Sequence, residues 1–144
     1  MKKIKVPYVD LSFKNKSKKS ILNVFSKLLD TGEFVGGDEI KKFENNISKF
    51  CKTKYTVALN SGTDALVIAL HLLGVKKGDE VVTQPNSFIA SASAIVHLGA
   101  KPVFVDILED QNIDPRKIQK AITKKTKVIM PVHLSGRMAD MTQI

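Results

Sequence analysis

The sequence has no tryptophan and a single cysteine, Cys51. One cysteine cannot form an internal disulfide, which excludes a disulfide-stapled scaffold and fits a reducing compartment. Cys51 follows Phe50 at the end of a helical pattern with no evident base beside it, so it reads as a packing residue and not a nucleophile. Aromatic residues make up 6% of the chain, and only Arg116 and Arg137 are arginines among its 23 basic residues. No aromatics interleave with the basic positions, as a base-stacking platform for nucleic acid would require. No apolar run approaches the roughly 20 residues needed to cross a bilayer. The start, Met1-Lys2-Lys3-Ile4-Lys5-Val6-Pro7, is basic but lacks the apolar stretch of a secretory leader. These absences predict a cytoplasmic, soluble protein with no membrane, nucleic-acid or metal partner.

What the chain does have is lysine. The formal net charge is +9, but the lysines are spread in pairs, from Lys2-Lys3 to Lys124-Lys125. A solvated lysine surface explains that pattern better than a nucleic-acid site, and its positive field would still draw in a phosphorylated small molecule. With 144 residues and 43% hydrophobic content, the chain can bury a sizeable core.

The rest of the chain is organised around Asn60-Ser61-Gly62-Thr63-Asp64-Ala65-Leu66. An apolar run over 55–59 reads as a strand leading in, and residues 64–73 read as a helix leading out, ended by Gly74. The first turn of a helix leaves N–H groups without partners and carries partial positive charge. Gly62 lets the main chain come close to a ligand, and the Ser61 and Thr63 hydroxyls can donate, so the turn suits a phosphate or other small anion. The plain alternative is that Ser61 or Thr63 only caps the helix.

Before this turn, Ile21, Val24, Phe25, Leu28 and Leu29 fall at the spacing of one helix face, which Gly32 can end. The opening, Val6 to Leu11, reads as extended. The loop Glu33-Phe34-Val35-Gly36-Gly37 precedes a second helix with Asp38 as N-cap and Ile40, Phe43, Ile47 and Phe50 on one face. After it, strands are expected at 80–84, 102–106 and 127–132, and helices at 88–98 and from Asp114-Pro115 to 122, with another helix beginning at 139. Strand and helix alternate, which argues an α/β fold with a mostly parallel sheet and right-handed crossovers. Ligands in such sheets sit at the carboxyl ends of the strands. Those ends carry Ser61-Gly62-Thr63, Gln84-Pro85-Asn86-Ser87-Phe88, Asp106 and His133. Asp106 is expected to serve the turn after its strand, and His133 is weighed between a structural place and one facing the site.

In order and spacing, Asn60 to Leu66, Gly78 to Val82, Asn86 to Ala90, Gly99 to Ile107, Asn112 to Pro115 and Pro131 to Met141 resemble the DegT/DnrJ family. Pro7 to Leu11 and Phe34 to Gly37 fit as well. The family consists of fold-type I, pyridoxal-phosphate-dependent aminotransferases acting on keto-sugars attached to nucleotides. The resemblance implies a three-layer α-β-α domain, with 1–54 an N-terminal helical and extended segment and 55–144 the first part of the cofactor-binding large domain. It implies that Gly62 and Thr63 hold the cofactor phosphate, that Ser61 shapes the turn and that Phe88 stacks on the pyridine ring. Gly36, Asn86, Ser87 and His133 would touch the substrate. It also implies an amino-acid donor, glutamate by family habit, and a homodimer.

The same resemblance places the Schiff-base lysine and the carboxylate facing the pyridine nitrogen beyond Ile144. No lysine in this chain stands in their sequence context, so no catalytic residue is assigned here and the 144 residues alone are expected to be inactive. Two other readings compete: a non-catalytic relative that keeps the cofactor cup without the lysine, and a basic nucleic-acid-binding domain. No G-x-G-x-x-G follows a predicted strand, which argues against a dehydrogenase.

Overall fold

The computed structural model describes residues 15–144. The extended opening expected over Val6 to Leu11 lies outside the described residues. The chain divides into two compact units, Met1–Ala58 and Leu59–Ile144.

In the first unit, α1 (Asn15–Thr31) carries the apolar stripe read from the sequence. Gly32, at φ 70°, ends it, and its N–H donates to the Leu28 carbonyl at 2.9 Å. The second helix, α2 (Asp38–Cys51), has Gly37 and not Asp38 before its first turn. Gly37 takes the non-helical backbone, at φ 89°, which glycine tolerates and Asp38 would not. Asp38 instead becomes the first helical residue and pairs with Lys41 at 3.3 Å, where a negative charge favours the helix dipole. Ile40, Phe43 and Phe50 remain exposed, and Cys51 is exposed too. Ile47 is half-buried on the same face, but no described residue buries Cys51, so the packing role expected for it is not met among the described residues.

Residues 55–59 form no strand and join no ladder among the described residues. The expected strand lacks a neighbour to pair with. Side chains of α2 hold the segment instead: Ala58 N–H donates to Glu44 Oε1 at 2.8 Å, and Ser48 Oγ donates to the Thr56 side chain, Oγ1, at 2.9 Å.

The second unit is the α/β body. It runs α3 (Gly62–Leu72), β1 (Glu80–Thr83), α4 (Ala90–His97), β2 (Lys101–Phe104), α5 (Pro115–Ala121) and β3 (Thr126–Ile129). The three strands form a parallel sheet in the order β2-β1-β3, with Val82 opposite Val103 on one side and Ile129 on the other. Side chains alternate across a strand, and here that period of two builds the layers. Val81 packs with Leu70, Val75, Ala94, Ile95 and Ala100 beneath α3 and α4. Val82 packs on the opposite face with Val105, Ile113 and Ile118 of α5. Both valines are fully buried, contributing about 1.5–3 kcal/mol each. The near-continuous apolar run of β1 is what a strand covered on both faces requires.

Two expected helices differ. The 88–98 helix begins at Ala90, because residues 85–87 bend away from β1 first. In place of a helix from 139, a 3-10 turn forms over Leu134–Gly136 and a single turn follows Asp140. Asp140 Oδ1 accepts the N–H groups of Thr142 and Gln143, and only one i to i+4 bond, Ile144 N–H to Asp140 O, closes there. One such bond is too little for a helix.

Candidate active site

All three strands leave the sheet at the same end. Residues 73–79 return from α3 to the start of β1, and 84–89 lead from its end to α4. The first turns of both helices therefore lie toward the end where the strands leave. Residues 84–88, Asp106 and His133 follow the carboxyl ends of the three strands, and 61–63, at the start of α3, lie toward the same end. Gly36 belongs to the first unit, at φ 78° in the loop before α2.

Ser61 is the N-cap of α3. Its Oγ accepts the Asp64 N–H at 3.1 Å and donates to Asp64 Oδ2 at 3.0 Å. Because the cap satisfies Asp64, the N–H groups of Gly62 and Thr63 stay without an acceptor among the described residues. Thr63 is exposed, and space above Gly62 is open, with no atom within 4 Å of where a Cβ would stand. Phe88 exposes 77% of its surface, so its ring is not a core aromatic of this unit. Ser87 Oγ donates to the Phe88 carbonyl at 3.3 Å, and Asn86 Nδ2 donates to the Gln111 carbonyl at 3.1 Å. His133 Nδ1 accepts the Ala139 N–H at 3.0 Å, so the neutral ring carries its proton on Nε2.

Carboxylates at this end are held ionised by neighbours. Lys117 at 2.8 Å and the Ile107 N–H hold the Asp106 carboxyl below the usual carboxylate range. The backbone and side-chain N–H groups of Asn112 do the same for Asp110. Arg116, at 2.9 Å, lowers Asp114, which also caps α5. A cavity of about 230 Å³ opens between Asp110, Gln111, Leu134, Ser135 and Arg137. Among the described residues no cluster of His, Cys, Asp and Glu is fit to hold a metal ion, and no helix is long and apolar enough to cross a membrane.

Sequence reasoning missed two residues that organise this end, Gln84 and Asn112, each about 1% exposed. Asn112 Oδ1 accepts the Leu134 N–H, and its Nδ2 donates to Asp110 Oδ2 and the Met138 carbonyl. The available signal was a long polar side chain directly after the buried run Val81-Val82-Thr83, where burial demands partners.

Residues 15–144 match the DegT/DnrJ/EryC1/StrS aminotransferase family. The chain belongs to this family. It is 43% identical over 143 residues to the 3-oxo-glucose-6-phosphate:glutamate aminotransferase of Bacillus subtilis strain 168, covering 97% of this chain and 32% of that relative. To the dTDP-3-amino-3,4,6-trideoxy-alpha-D-glucose transaminase of Streptomyces venezuelae it is 39% identical, covering 95% of this chain and 37% of that one. The crystal structure of ntda from Bacillus subtilis with bound cofactor pmp superposes with a TM-score of 0.93 at 41% identity, over 97% of this chain and 33% of that chain. This chain thus spans about a third of the length of the family members it matches. The α/β architecture is that of aminotransferases of this family.

Proposed function

We propose that the chain is the front of a pyridoxal-phosphate-dependent sugar aminotransferase, with 1–54 a leading segment and 55–144 the start of its cofactor-binding domain. The observation that carries the reading is the first turn of α3. Beside the Ser61 cap, the Gly62 and Thr63 N–H groups and the Thr63 hydroxyl have no partner among the described residues, and the exposed Phe88 ring follows the exit of β1 toward the same end. Backbone donors and a dipole end fit a phosphate, and an uncovered aromatic face fits a flat ring.

In this reading Gly62 and Thr63 hold the phosphate, with Ser61 fixing the turn, and Phe88 covers one face of the pyridine ring. When bound, the cofactor supplies the electron sink through which an amino group leaves a donor and reaches a carbonyl carbon. Asn86, Ser87, His133 and Gly36 orient the sugar. His133 keeps its Nε2–H free to donate to a substrate oxygen because Nδ1 is engaged by Ala139. The lysine and carboxylate that complete the chemistry lie on sequence beyond Ile144, so these 144 residues alone are inactive. The full protein is a cytoplasmic homodimer that takes glutamate as donor and a keto-sugar nucleotide as acceptor, making an amino sugar for polysaccharide. A sugar phosphate in place of the nucleotide is the second reading, favoured by the name of the Bacillus subtilis relative.

The test is to express the full gene, titrate the product with pyridoxal phosphate by absorbance, and assay amino transfer from glutamate to both acceptor classes. Cofactor uptake with amino-sugar formation is expected. Uptake without transfer would leave a non-catalytic relative, and neither uptake nor transfer would sink the proposal.

A further inference from the structure

Gln84 is where the three strand exits meet. It follows β1 directly, and its carboxamide uses each of its hydrogen-bonding positions inside the protein. Nε2 donates to Asn86 Oδ1 and to the Gln111 carbonyl, both at 3.1 Å. Oε1 accepts the N–H groups of Ile113 and Val132, both at 3.2 Å. One partner lies on its own loop, two on the segment after β2 and one on the segment after β3.

Gln111 stands at φ 71°, a left-handed backbone that residues other than glycine seldom adopt. Its carbonyl receives two amide donors, from Gln84 and from Asn86, which hold it there. Among side chains of this length only an amide offers two donors and two acceptors at once. A carboxylate would keep the two acceptor bonds but turn lone pairs toward Asn86 Oδ1 and the Gln111 carbonyl. An apolar side chain would lose all four bonds.

We propose that Gln84 is a positioning residue, whose buried amide locks the loop carrying Asn86, Ser87 and Phe88 onto the exits of β2 and β3 and so sets where the Phe88 ring stands. This rests on the reading of Phe88 as the residue that covers the cofactor ring. Gln84 touches no ligand itself; it acts through the loop.

The experiment compares Gln84→Glu and Gln84→Met with wild type in the full chain. It follows pyridoxal phosphate affinity by absorbance titration, residue-resolved amide hydrogen exchange, and the thermal midpoint. Both variants are expected to weaken cofactor affinity more than tenfold and to speed exchange over residues 86–88. They should differ at Ile113 and Val132, whose amides stay protected in Gln84→Glu, which keeps the acceptor oxygen, and lose protection in Gln84→Met. Affinity within twofold of wild type in both variants would overturn the proposal. So would a general loss of midpoint and protection with no difference between the two variants, because that marks a merely structural residue. If wild type itself takes up no cofactor, the site reading fails, and the exchange pattern alone decides: the split between the variants sustains the lock and its absence overturns it.

Discussion

Thr63 stands beside two N–H groups that have no acceptor among the described residues, and replacing its hydroxyl alone isolates its share of the proposed anion binding. Thr63→Val in the full chain should weaken pyridoxal phosphate retention roughly tenfold, the size expected for one hydrogen bond to a charged group. A spectroscopic titration checks this, and an unchanged affinity would remove Thr63 from the cup. Phe88→Ala should loosen the cofactor and slow turnover while far-ultraviolet circular dichroism stays that of wild type, because a ring exposed this far supports little of the fold. The capped turn at Ser61 was legible in the sequence because a helix cap is local, settled within three residues. Gln84 and Asn112 were not legible as organisers. Ile113 and Val132 lie 29 and 48 residues from Gln84, and no short window holds both ends of such bonds.

At the scale of elements, turns decide where the helices stop. Gly99 closes α4 at φ 72°, and a Cβ there would stand 3.1 Å from Lys77 Cβ and 3.3 Å from its Cα. Gly99→Ala should therefore destabilise the second unit by about 1–2 kcal/mol through the left-handed backbone alone, with the contact to Lys77 adding to it. Urea unfolding measures the sum, and a wild-type midpoint would show that the turn can relax. The sequence pattern placed β1, β2, β3, α3, α4 and α5 within a few residues, because each pairs an apolar run with a Gly, Pro or Asp boundary. Asp114-Pro115 marked the start of α5 to the residue, since the cap and the preset proline backbone act together. The pattern failed at 55–59, where an apolar run announces a strand but pairing depends on a neighbour that no local signal reveals. After Asp140 the four remaining residues close one turn, Ile144 N–H to the Asp140 carbonyl.

For the whole molecule, charge and exposed apolar surface set the solution behaviour. Asp106, Asp110 and Asp114 all have carboxyls lowered from the ordinary value by bound donors. A lowered folded value means that these groups stabilise the fold above the ordinary carboxylate range, about 3.9, and that the contribution disappears as pH falls through the lowered values. The thermal midpoint should hold from neutral pH to about pH 5 and then fall with acid, and Asp114→Asn should flatten part of that fall. A midpoint independent of pH down to the acid limit would contradict the pairing. Phe25, Leu29, Phe43 and Phe50 stand more than half exposed on α1 and α2, so the isolated 144-residue chain should associate with rising concentration in sedimentation velocity. A single monomeric boundary at all concentrations would count against that.

The strand order has one more consequence. β1 is made before the other two strands, yet it occupies the middle of the sheet, with β2 on one flank and β3 on the other. A chain leaving the ribosome can therefore grow this sheet outward from its centre, each new strand docking on a free edge already waiting for it. Neither β2 nor β3 has to be threaded between two strands that have closed.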